Sequence, residues 1–95
     1  MSTRNTIEKA IQMINSHDWF WMMCDYGYET NYSAAKAGMR SFVALIKTID
    51  NTTAREALKN LWLLHYEHAH NSINGRETEA YEGRKDELMK IALAA

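Results

Sequence analysis

At 95 residues, with 46% hydrophobic and 24% charged side chains, the chain has the size and make-up of a single globular domain over residues 1–95, too small for a separate catalytic domain beside its core. Eleven Lys and Arg against twelve Asp and Glu give a formal charge of −1, so no bulk positive charge is present to hold a nucleic-acid backbone or an anionic membrane. A lone cysteine, Cys24, excludes an intramolecular disulfide, and the longest strictly apolar run, Trp19–Cys24, is far shorter than the roughly twenty residues of a membrane span.

No proline interrupts the chain, which favours long helices. The first helix is expected to start at Asn5, which can cap it while Glu8 reaches back to complete a capping box. Ile7, Ala10, Ile11 and Ile14 follow at helical spacing. Residues Asn15, Ser16, His17 and Asp18 compete with the helical backbone for its hydrogen bonds, which predicts a break there.

Two conformations fit Trp19–Tyr26. Trp19, Met22, Met23 and Tyr26 share a helix face, whereas Trp19, Trp21 and Met23 share one side of a strand and Gly27 could turn a hairpin. A helix is the favoured alternative, because an isolated two-stranded hairpin is marginal in water. Next, Tyr28, Tyr32, Ala35, Met39, Phe42, Ile46 and Ile49 recur at alternating steps of four and three. They predict one apolar stripe over residues 28–49, on the order of 33 Å long. Ala34, Gly38 and Ser41, with Leu45, make a second face of small residues.

Asp50, Asn51 and Thr52 form the expected turn. Thr53 with Glu56 reads as a second capping box opening a helix over 54–73, and Asn74-Gly75 closes it with glycine in the left-handed conformation. A last helix is expected from near Arg76 to Ala92, buried through Tyr81, Leu88, Ile91 and Ala92. Gly83 weakens its middle by about 1 kcal/mol relative to alanine. The fold expected is all-α: a compact bundle of four to five helices with a helical hairpin, about 28–49 and 54–73, at its centre.

The histidines look most like chemistry. His65, His68 and His70 fall within six residues with Glu67 among them. At 100° per residue, His65 shares a face with Leu58, Leu61, Trp62, Ala69 and Ser72, and His68 lies at its edge. Glu67 and His70 project from the opposite side, so the four cannot converge on one ion from a single helix. Di-iron bundles need a Glu-x-x-His motif on two helices, and Glu67-x-x-His70 is the only copy. The remaining catalytic alternative is a small metal-dependent enzyme in which His65 and His68 meet His17 and Asp18 around a zinc, manganese or iron ion with a bound water as nucleophile. No motif spacing links those four residues, so no metal or other cofactor is assigned.

Six of the ten aromatics, Trp19, Phe20, Trp21, Tyr26, Tyr28 and Tyr32, lie within fourteen residues. Trp19, Phe20 and Trp21 are consecutive and cannot all point the same way on a helix or a strand, so at least one is offered to solvent, a groove or another chain. Leu63 falls on the polar side of its helix and joins them. Lys36, Arg40 and Lys47 cluster on one face, but three cations without net positive charge or a recognition motif argue for a solvated surface rather than a nucleic-acid site. Nothing orients a base toward Cys24.

These features favour a non-enzymatic interaction or self-association module. Its expected contact surface is Trp19, Phe20, Trp21, Tyr26 and Leu63, and its partner another protein or a second copy in a homodimer. The charged start of the chain and the missing membrane span make the cytoplasm its expected, default location.

Overall fold

The computed structural model of the chain describes residues 3–17 and 39–94. Among these residues the secondary structure is all helical, with no strand: α1 covers Thr3–Ser16, the described part of α2 residues 39–46, α3 Thr52–Ile73 and α4 Tyr81–Leu93. Both alternatives for Trp19–Tyr26, and the stripe positions Tyr28, Tyr32 and Ala35, lie outside the described residues.

α1 buries Ile7, Ala10, Ile11 and Ile14, the positions its periodicity selects. It begins at Thr3 rather than Asn5, so Asn5 is inside the helix, and the Glu8 carboxylate accepts from Arg4 Nε at 3.0 Å. The expected break follows at His17. There the Ser16 hydroxyl donates to the Met13 carbonyl at 3.3 Å, a side-chain bond that competes with helix continuation.

In α2, Phe42 and Ile46 are buried and Ile49 follows them into the core from beyond the helix end. The helix stops at residue 46, short of the expected 49. Thr48 Oγ1 donates to the Leu45 carbonyl at 2.7 Å, taking an acceptor of the last turn. Met39, assigned to the same stripe, is 45% exposed.

α3 is capped two residues before the expected cap. Asn51, in extended conformation, accepts the Ala54 amide on its side-chain oxygen at 2.9 Å, so Asn51 and not Thr53 caps the helix. Glu56 lies instead beside Lys59 at 4.0 Å. The C-terminal end is as expected: Gly75 has φ +68°, its amide donates to Ser72 at 3.2 Å, and the Arg76 amide donates to Asn71 at 2.8 Å. These two bonds are the paired closure of a Schellman motif.

α4 begins at Tyr81, not near Arg76. Residues 76–80 form a connection in which Thr78 is buried, and Ala80 enters the helix from the left-handed region at φ +52°. The pairs Asn71–Thr78, His68–Tyr81 and Glu67–Arg84 step in opposite directions along the chain, so α3 and α4 are antiparallel. At its other end, α4 is tied to α1 by Arg4 Nη1, which donates to the Leu93 carbonyl at 3.1 Å.

The four described helices meet in one core, built on Ile7, Ile14, Phe42, Ile49, Leu58, Leu61 and Trp62, and closed by Ala92. The Trp62 ring stacks on Phe42 at 4.7 Å between centroids and touches His17 at 5.1 Å. No described helix is long and apolar enough to cross a membrane.

Two substitutions test these boundaries by urea unfolding. Asn51→Ala removes the α3 cap and is expected to destabilise the fold by about 1 kcal/mol. Ala80→Gly relieves the left-handed alanine and is expected to stabilise it by about 1 kcal/mol.

Candidate functional site

The histidines are drawn to Tyr81 at the start of α4. The His68 ring stacks on Tyr81 at 3.8 Å and 11°, and the His65 ring stands nearly perpendicular to it at 5.8 Å and 75°. His68 Nδ1 lies 3.2 Å from the Thr78 hydroxyl, which also accepts from Asn71 Nδ2 at 3.0 Å. In the Nε2–H tautomer of His68, the hydroxyl therefore accepts from Asn71 and donates to Nδ1, and Thr78 has both its roles filled. Lys85 Nζ lies 5.5 Å from the centre of the Tyr81 ring and 3.1 Å from the Glu82 carboxylate. This cluster fastens the 76–80 connection and the first turn of α4 to α3.

Burial pushes the His65 imidazole below its ordinary value, with Lys85 and His68 acting in the same direction and Glu82 opposing them. Burial likewise raises the Tyr81 phenol, and the Glu82 hydrogen bond raises Lys85. A neutral imidazole is a base, but a general base must reach the proton it removes, and His65 Nε2 is closed off from solvent.

The proposed metal ligands are distributed as follows. His65 and His68 pack on Tyr81, His17 lies against Trp62, and Asp18 lies outside the described residues. Glu67 and His70 are exposed, and Glu67 does not project away from α4 but pairs with its Arg84 at 3.4 Å. Among the described residues no three His, Cys, Asp or Glu side chains group to hold a metal ion.

Of the expected contact surface, Trp19, Phe20, Trp21 and Tyr26 lie outside the described residues, as do Cys24 and Lys36. Leu63 is described, and it is 53% exposed. It lines an open groove of about 650 Å³ between α3 and α4, with Leu64, Ala80, Gly83 and Leu88 as apolar lining and Glu67, Arg84 and Glu87 among its polar residues. Tyr66, one turn from Leu63, is 45% exposed. Arg84 reaches across to Glu67 at 3.4 Å. Arg40 and Lys47 are exposed, as a solvated face requires.

The α4 side of this groove is not apparent from sequence, because it exists only once α4 lies antiparallel on α3. Its one local signal is Gly83, which the late start of α4 puts in the first turn of the helix rather than its middle, and which makes no left-handed turn. Thr78 has no such signal: a threonine flanked by Glu77 and Glu79 reads as surface.

His65 makes stability depend on pH. Its folded-state value lies below the ordinary 6.5, so the unfolded chain takes up the proton first as pH falls. Its contribution is fully present above about pH 6.5, is lost as pH drops toward the folded value, and levels off below it. Urea unfolding at about pH 8 and about pH 5 should show a smaller pH difference in His65→Gln than in the unaltered chain. An unchanged difference would assign the effect to other groups.

No model of a known protein family, no curated protein and no solved structure matches this chain.

Proposed function

We propose that this chain is a non-enzymatic helical interaction module, acting in the cytoplasm on a protein partner or on a second copy of itself, and that the groove between α3 and α4 is its docking surface. The observation that carries this is Leu63: a leucine 53% exposed, beside an exposed tyrosine and at the edge of an open apolar groove. An isolated exposed leucine needs no explanation, but one continuous with an apolar recess and rimmed by charged residues has the build of a contact site. In this proposal the histidine cluster is a structural fastening, its rings engaged with Tyr81 and Thr78.

The run Trp19–Trp21 with Tyr26 is a second contact region in this proposal, and it rests on sequence alone. The proposal also takes residues 28–49 and 54–73 as a hairpin at the centre of four to five helices. The short turn between them and the Phe42–Trp62 stack support that arrangement. A formal charge of −1 supports a protein partner over a nucleic acid or an anionic surface.

A photo-reactive benzophenone amino acid placed at position 63, and in a control at the exposed position of Lys9 on α1, tests the docking surface. The expected result is a covalent protein adduct from position 63 and none from position 9. Equal labelling from both positions, or none from position 63, would overturn the proposal.

A further inference from the structure

We infer that the occupant of the groove between α3 and α4 is the same groove of a second copy of this chain, packed about a two-fold axis; this rests on the docking role proposed above. A surface that meets itself must carry projection and recess, and both signs of charge, in one patch. This patch does. Leu63 is the projection. Ala80 and Gly83 are the recess: a methyl group added at Gly83 meets nothing within 4 Å. Gly83 has no positive φ and, among the described residues, no close neighbour that requires glycine. Glycine in an exposed helix weakens it, and what it offers in return is bare backbone that another chain can approach closely.

Charge completes the match. Arg84 and Glu87 are both exposed on α4, one turn apart. Arg84 lies 3.4 Å from Glu67, with both side chains about half exposed, and Glu87 pairs with no described cation. With α4 antiparallel to α4 of the other copy, Arg84 of each faces Glu87 of the other, and Leu63 of each seats over the backbone at Gly83 of the other. A strongly acidic or basic partner would find no uniform field here, and a near-neutral chain does not repel its own copy at long range.

Sedimentation velocity on the full chain, with Arg84→Glu, Glu87→Arg and Gly83→Gln, tests the inference. The unaltered chain is expected to sediment as a dimer at tens of micromolar. Each charge reversal sets like charges opposite one another and should weaken the dimer about tenfold or more. An equimolar mixture of the two reversals should restore it, because opposite signs again face each other. Gly83→Gln fills the recess and should give a monomer with unchanged helical circular dichroism.

A monomeric unaltered chain across the micromolar range overturns the inference. If position 63 still forms an adduct with a different protein, the docking surface stands and only its occupant is wrong. A dimer that survives all three substitutions, or reversals that fail to rescue each other, also overturns it.

Discussion

Trp62 is the contact on which the rest of the fold depends. It sits in α3, its ring stacked on Phe42 from α2 and touched by His17 at the end of α1. Three segments separated by long stretches of chain therefore meet at one indole, which is 4% exposed. Burying a side chain this large is the strongest single attraction available to so small a core, and truncating such a residue to alanine typically removes about 3–5 kcal/mol. The remaining core residues, Leu58 and Leu61 on α3 and Ile7 and Ile14 on α1, extend that contact rather than replace it.

A second, more polar fastening sets where α4 lies. Tyr81 is held between helices by two imidazoles and a lysine, and Thr78 by His68 and Asn71. With α4 fixed there, Ala80, Gly83, Arg84 and Leu88 come beside Leu63 and Leu64, and the groove results. The histidines thus contribute to the candidate contact surface indirectly, by placing the helix that forms its far wall.

Periodicity made the buried faces of α1 and α3 legible, along with Phe42, Ile46 and Ile49, because each of those segments packs one face against the core and the spacing of apolar residues records which. Helix starts were less legible. Asp50, Asn51, Thr52 and Thr53 are four capping residues in a row, and the pattern alone favoured the threonine followed by Glu56, whereas the backbone bond is made by Asn51. The start of α4 was obscured for a different reason. No proline or glycine marks residues 76–80; what keeps them out of the helix is contact with α3 through Thr78, which no local pattern encodes. Leu63 stood out as a leucine on a polar face, but its neighbours across the groove belong to another helix, and only tertiary packing brings them together.

Arg4 in the first turn of α1 holds the Leu93 carbonyl at the end of α4, so the first and last described helices are clasped together across 89 residues of sequence. Closing so long a loop costs chain entropy that one exposed hydrogen bond does not offset, and the burial of Ile7 and Ala92 in the shared core supplies the rest. The Arg4 clasp lies apart from the groove lining, so it sets how α1 and α4 are held together without shaping the candidate contact surface.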